Sequence, residues 1–504
     1  MLLLRPPVRA IVAVRVVGLA AAASSMALLA ACAPDLGQLA QIRPAAGYAT
    51  QKTLGAPTTT AWPSEDWWIA YNDPQLTALI QEALEGAPDL KVAEARLRQA
   101  QAQTQVQGAP LLPTLSGSGS IQETGIELNA NGIPQQIKDF LPSTLQPFTN
   151  LSGKFAYEVD FFGKNHAALA AATSQQQAAE FELRAARLQI STAVASAYAD
   201  LVRLTAEREA AVNAVKVRGD TLALVADRVK NGLENQSQQF QSSAEQNVSE
   251  GDVAALDAQI DRTRHQLAAL IGAGPDRGLD VTPNIASISA PWGLPSNLPA
   301  DLVGRRPDVA AARLTAEAAA DQIKVARANF YPNINLNASV LDLSLTPDKI
   351  FTQNILVAQF GPAISLPIFQ GGRLAGAYRG AAARYEEAVA TYDKTVSDAL
   401  KDVADAVSLQ KALAVQLDYA GKAVSDSQRA YDLAVLRYKG GLSPYLVVLT
   451  AQSTLIAQQR AVADLKAQTL SANVALVRAL GGGFQGPAVA ETSKTSNERG
   501  PAHG

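Results

Sequence analysis

The chain is nearly devoid of the residues that carry redox, metal and acid–base chemistry. Its 504 residues include one cysteine, two methionines and three histidines. A single cysteine, Cys32, leaves no intramolecular disulfide to form. His166, His265 and His503 stand far apart and share no ligand-like spacing. Met1 and Met26 both fall in the first 31 residues, so the remainder has no thioether for a soft metal. No phosphate-cradling glycine loop is present, because "GGRLAGA" at 371–377 lacks the Lys-Ser/Thr pair. An enzyme reading has no supporting residues, and no metal or dissociable cofactor is expected.

Charge and long apolar runs are also scarce. Only 18% of residues are charged, and the net charge of −3 becomes −6 without the first 31 residues. A nucleic-acid binder would carry a basic excess. After residue 31 no stretch reaches the ~18 apolar residues of a membrane helix. If the chain crosses a membrane, it must do so with strands.

The N-terminus reads as a targeting segment. Arg5, Arg9 and Arg15 precede the apolar run Val16–Ala31, the order of a secretory signal. Leu29-Ala30-Ala31-Cys32 resembles a bacterial lipobox, in which the cysteine takes a diacylglycerol/palmitoyl lipid and becomes the new N-terminus.

What the chain has in quantity is repetition. Pro88-Asp89 and Pro307-Asp308 open two segments that reach Pro113 and Pro332 at equal spacing. Ala93, Ala100, Gln103, Val106 and Ala109 match Ala312, Ala319, Gln322, Val325 and Ala328. "DFFGK" at 160–164 parallels "IFQGGR" at 368–373, and "RVKNGL" at 228–233 parallels "RYKGGL" at 437–442. These landmarks divide the chain into a signal at 1–31, an N-terminal segment at 32–75, repeat one at 76–272, a linker at 273–298, repeat two at 299–481 and a flexible tail at 482–504.

Within each repeat the expected order is helix, strand, strand, long helix, helix. Strands are expected near 112–122, 151–162, 332–341 and 355–367. A proline at a strand's first residue is tolerated and also ends the preceding helix. Ile334, Leu336, Ala338 and Val340 alternate with Asn333, Asn335, Asn337 and Ser339. Leu151, Gly153, Phe155, Tyr157, Val159 and Phe161 likewise alternate with Ser152, Lys154, Ala156, Glu158 and Asp160. Such strands suit a barrel wall with one apolar and one polar face, although a half-buried soluble sheet would alternate too. From Lys164 to Asn231 and from Gly372 to Lys439 there is no proline. Helices over these spans would each reach about 100 Å at ~1.5 Å per residue. Val194, Leu201, Val215, Leu222 and Val229 keep a seven-residue register, interrupted by Arg208. Four strands cannot close a barrel, and an open edge cannot sit in lipid. Partner chains must therefore complete it; three copies would supply twelve strands, and the eight of a dimer would leave a bore filled by side chains.

Two segments, Trp67–Leu97 and Gly293–Leu314, closely resemble outer-membrane efflux lipoproteins of the OprM/NodT type, relatives of TolC. Trp67-Trp68, Asn72-Asp73-Pro74 and Arg305-Arg306-Pro307-Asp308 are the most specific pieces. The resemblance covers roughly residues 32–481. It implies a mainly α protein with membrane β, a TolC-like trimeric channel with a 12-stranded barrel continuous with a periplasmic helical barrel. It further implies a homotrimer in the outer membrane of a Gram-negative bacterium, a periplasmic adaptor and an inner-membrane pump of the RND type. Neither nucleic acid nor a catalytic role enters this picture.

By the same resemblance the turns at Gly232-Leu233 and Gly440-Gly441-Leu442-Ser443 lie at the periplasmic mouth and meet the adaptor. Relatives narrow that mouth with carboxylates where this chain has Val447 and Thr450, so its constriction is expected to be apolar or hydroxyl-lined. Arg437 and Tyr438 are candidates to hold the closed state by hydrogen bonds to a neighbouring helix. Lys154, Glu158, Asp160, Asn333, Asn335 and Asn337 are expected to face the lumen. Phe161, Phe162, Phe330, Tyr331 and Phe369 look like a periplasmic-side aromatic girdle. Two other readings remain: a duct for ATP-driven protein secretion, and a lipoprotein that only bridges envelope layers.

Overall fold

Proline placement and alternation account for most of the element boundaries. Pro74 and Pro88 each occupy the first position of a helix, α1 at Pro74–Gly86 and α2 at Pro88–Gly108. Strands β1 (Thr114–Thr124) and β2 (Gln146–Val159) follow. The proline-free spans become α3 (Lys164–Lys230) and its return helix α4 (Gln236–Leu270). The second half repeats this order with α5 (Pro307–Ala328), β3 (Asn333–Ser344), β4 (Ile355–Ser365), α6 (Arg373–Lys439) and α7 (Tyr445–Ala479). The long helices match in length, 67 residues each, as do their 35-residue return helices. This computed structural model describes residues 33–44, 47–54, 61–124, 146–283, 292–293, 304–344, 352 and 354–485. Cys32 lies outside them.

The strand ends differ from expectation. β2 begins at Gln146 rather than near 151 and stops at Val159 rather than near 162. Phe161 N–H donates to the Val159 carbonyl, and Gly163 takes a positive φ of 70°, so a tight corner replaces the last expected rungs. β1 and β3 each run two to three residues further than expected, to Thr124 and Ser344.

The chain forms two compact units. One contains Arg98–Gln177 and Arg313–Ala390, and thus the whole sheet. The sheet is antiparallel in the order β1-β2-β3-β4, with β1 and β4 as its edges. A small core of Ile323, Tyr378, Ala381 and Ala382 packs with Leu36, Leu39 and Phe330. The other unit contains Ile42–Leu97, Ala178–Ala312 and the chain from Thr391 onward. Its main core packs Trp67, Trp68, Tyr71, Leu76, Leu79 and Ile80 against Val194, Tyr198, Leu201, Leu267 and Val477. Along α3 the buried stripe includes Val194 and Leu201, then shifts to Ala211, Ala214, Thr221 and Val225 beyond Arg208. A straight 3.6-residue helix drifts off a strict seven-residue repeat, which accounts for the shift. Phe484 is buried against Phe181, ring centroids 5.4 Å apart, so the packed chain extends past the expected tail boundary at 482.

Candidate functional site

Two features stand out, the two-faced sheet and the pair of hairpin turns. Register fixes the faces of the sheet, because directly opposed residues point the same way. One face collects Leu115, Leu151, Phe155, Leu336, Val340, Phe360 and Ile364, all exposed; Phe360 is 91% exposed and Leu115 81%. The opposite face carries Ser116, Ser118, Lys154, Glu158, Asn333, Asn335, Asn337, Ser339 and Gln359. A soluble sheet buries its apolar face and wets its polar one. This sheet leaves the apolar face uncovered, as a lipid-facing wall requires.

The expected lumen residues share that polar face. Glu158 pairs with Lys164 at 2.5 Å. Asp160, just past the strand, accepts from the backbone N–H of His166 at 2.8 Å and contacts its Nδ1 at 2.7 Å. Burial opposes the charge on Asp160, but the backbone N–H groups of His166 and Asn165, with the His166 ring, hold its carboxyl below the usual range. Asn335 Nδ2 donates to Asn333 Oδ1 at 3.0 Å. The alternation inverts beyond Val340. Leu341, Leu343, Ile355 and Val357 fall on the polar side, and Asp342, with Asn354 Nδ2 at 2.6 Å, falls on the apolar side. Of the five expected girdle aromatics, Phe161, Phe162 and Phe369 are exposed; Tyr331 stacks on Phe162 at 4.7 Å, and Phe330 meets Tyr378 edge-on at 5.9 Å.

Both hairpin turns use one design. Gly232 and Gly441 adopt φ of 69° and 74°, and the next residue's N–H reaches back to Arg228 and Arg437 carbonyls at 2.8 Å. This is the glycine cap that satisfies the last helical carbonyls. The return helices start differently. Asn235 caps α4 through a reciprocal pair with Gln238, whereas Pro444 leads into α7 without a side-chain cap. Leu233, Leu442 and Leu446 are exposed around the turns, as are Val447, Thr450, Gly440 and Arg437; Ser443 is half-buried.

Tyr438 occupies a different environment from its neighbour Arg437. It is fully buried in a cluster with Val225, Ala434, Tyr445 and Val448. Arg228 lies over its ring at 4.6 Å, donates to its backbone carbonyl at 3.1 Å and approaches Glu234 at 3.7 Å. Among the described residues the buried Tyr438 hydroxyl makes no hydrogen bond. Burial, reinforced by the Glu234 carboxylate, pushes its pKa up to about 12. Arg228, from the first hairpin, therefore ties the second through Tyr438, and sequence reasoning missed it because its partner is 210 positions away. Deeper in the same unit, Gln452 Nε2 donates to Thr221 Oγ1 at 3.0 Å and to the Val217 carbonyl at 3.2 Å.

The motifs most specific in the sequence are structural joints. Asp73 caps α1, its Oδ1 accepting from the N–H groups of Gln75 and Leu76 at 2.9 and 3.1 Å. Its Oδ2 accepts from the Tyr198 hydroxyl at 2.7 Å. Tyr71 and Asn473 are joined at 2.7 Å, and Asn473 Nδ2 donates to the Trp292 carbonyl at 2.8 Å. Arg306 grips Asp308 at 3.0 and 2.7 Å and the Ala479 carbonyl at 3.1 Å, while Arg305 lies over Trp62 at 4.8 Å. Among the described residues no group of three or more His, Cys, Asp or Glu is placed to hold a metal ion, and no helix is long and apolar enough to cross a membrane.

Comparison with known proteins adds an independent line. The family model "Outer membrane efflux protein" matches residues 79–273 and 298–482, more than half of the chain. The fusaric acid resistance protein FusA of Burkholderia cepacia is 35% identical over 374 residues, 72% of this chain and 69% of that protein. The pyoverdine export outer membrane protein OpmQ of Pseudomonas putida is 30% identical over 462 residues, 92% of this chain and 96% of its own length. The crystal structure of the outer membrane protein VceC from Vibrio cholerae superposes with a TM-score of 0.77 at 39% identity, covering 84% of this chain and 100% of that one.

Proposed function

The chain belongs to the outer membrane efflux protein family, and from that premise we propose that it is the passive exit duct of a tripartite pump, acting as a homotrimer. It is an outer-membrane channel protein of TolC-like fold, a component of an efflux system. The observation that carries the finer reading is the sheet. Four strands with an exposed apolar face, a polar face and two open edges are a fragment of a barrel wall. Lipid tolerates no open edge, so copies of the same chain must close it. Three copies give twelve strands, enough for a water-filled bore.

The remaining roles follow as parts of this proposal. Cys32 carries the lipid anchor. The exposed leucines at the turns, Leu233 and Leu442, meet the hairpin tips of a periplasmic adaptor, beneath which an RND-type pump supplies the energy. Val447 and Thr450 line the narrow end. The neighbours FusA and OpmQ are named for fusaric acid resistance and pyoverdine export, which supports small organic solutes as cargo. Planar-bilayer recording of the purified trimer tests the duct reading. Discrete ion-conducting steps are expected, and a correctly folded trimer that never conducts would reduce it to an envelope-bridging lipoprotein.

A further inference from the structure

We propose that Lys154 forms a ring of uncompensated positive charge inside the barrel, making this stretch of the pore prefer anionic solutes such as carboxylates; this rests on the trimeric-barrel reading above. The register gives the composition of the ring. Lys154 stands opposite Ser116 on β1 and Ser339 on β3, and Ser339 stands opposite Gln359 on β4. With three copies this row of paired residues, Ser, Lys, Ser, Gln, occurs three times, and symmetry places the three Lys154 at one height. The row on one side holds Thr114, Ala156, Asn337 and Gly361, and the row on the other holds Ser118, Ser152, Leu341 and Val357. None of these can neutralise an ammonium.

The carboxylates closest in sequence on the same face are already engaged. Glu158 pairs with Lys164 at 2.5 Å, and Asp160 is held by His166. Asp342 points to the other face and pairs with Asn354. Lys154 is exposed and makes no ion pair or hydrogen bond among the described residues. Twelve strands about 4.8 Å apart and tilted about 40° enclose a backbone radius of roughly 12 Å. Three lysine side chains reaching inward therefore cover much of the bore within about one Debye length at 0.1 M salt. The constriction residues Val447 and Thr450 supply no opposing carboxylates.

A charge-selective labelling experiment tests this without depending on whether the narrow end is open. A reporter cysteine is placed at Ser339, beside Lys154, in the full chain reconstituted in nanodiscs. Its rates of modification by an anionic and a cationic methanethiosulfonate are then compared. The anionic-to-cationic rate ratio should fall about three-fold in 0.1 M salt on Lys154→Gln, and the effect should shrink toward unity in 1 M salt. Lys154→Glu should invert the preference, and Lys154→Arg should retain it. A second reporter at Ser116, on the other flank of Lys154, should report the same changes. A ratio unchanged by Lys154→Gln and Lys154→Glu, with both reagents still reacting, overturns the ring while leaving the barrel intact. Reporters inert to both reagents would instead overturn the water-filled barrel, and the ring with it.

Discussion

Replacing Asp73 by alanine removes two contributions together. The Asp73 carboxylate caps α1 through two backbone N–H groups and accepts the buried Tyr198 hydroxyl at 2.7 Å. Loss of the cap costs about 1–2 kcal/mol. Loss of a buried hydrogen bond to a charged group costs about 1.5–3 kcal/mol. Allowing for partial relaxation, Asp73→Ala should destabilise the unit by about 3 kcal/mol, on the order of a hundred-fold in the unfolding equilibrium. Asp73→Asn keeps the cap and a neutral acceptor and should lose about 1 kcal/mol. The assay is pulse proteolysis of the purified chain in detergent across a urea series. A double-mutant cycle with Tyr198→Phe should return a coupling of about 1–2 kcal/mol. Asp73→Ala within about 0.5 kcal/mol of the parent, or a coupling indistinguishable from zero, would refute the reasoning.

Arg208→Ala, which removes the pair to Asp257, should change stability by under about 1 kcal/mol in the same assay, because both side chains are more than two-fifths exposed. Gly481→Ala should fail to give folded protein by size exclusion: Gly481 has a φ of 87°, and an added Cβ would sit 2.0 Å from the Arg305 carbonyl oxygen. Val447→Asp with Thr450→Asp should make the trimer's single-channel current sensitive to divalent cations, whereas the parent is expected to be nearly insensitive; strong divalent block of the parent would contradict an apolar or hydroxyl-lined mouth. Arg228→Ala leaves Glu234 and the Tyr438 ring without their cation and should loosen the paired hairpins, read as a larger mean conductance in bilayers; an unchanged conductance distribution counts against the Arg228–Tyr438 tie.

Local signals in the sequence make most of the architecture legible. The absence of proline from Lys164 to Asn231 and from Gly372 to Lys439 marks two helices that are each 67 residues long. Alternation gave the strands, and their count required partner chains. The errors have physical causes. β2 lost its expected last rungs to the Gly163 corner, where backbone conformation outweighs a continuing apolar pattern. The inversion beyond Val340 falls past the expected strand end at 341, although Leu341, Asp342 and Leu343 display it within β3 itself. In sequence Asp73 and Arg306 stand out only as parts of motifs. Asp73-Pro74 does carry a helix-start signature that could have been read locally. Its second partner, Tyr198, lies 125 residues away and could not. Tyr438 and Arg437 looked equivalent in sequence, yet one is buried under Arg228 and the other exposed.

The claim on which the account rests is that β1 of one copy closes against β4 of the next, three times. Disulfide cross-linking between the two edges addresses it directly. Single cysteines are scanned along β1 (Thr114–Thr124) in combination with single cysteines along β4 (Ile355–Ser365), and oxidised membranes are run on non-reducing gels. Closure by three copies predicts, at a matched register, covalent products that stop at three chains. Cross-links confined to single chains, closure at two chains, or an open ladder beyond three would contradict it.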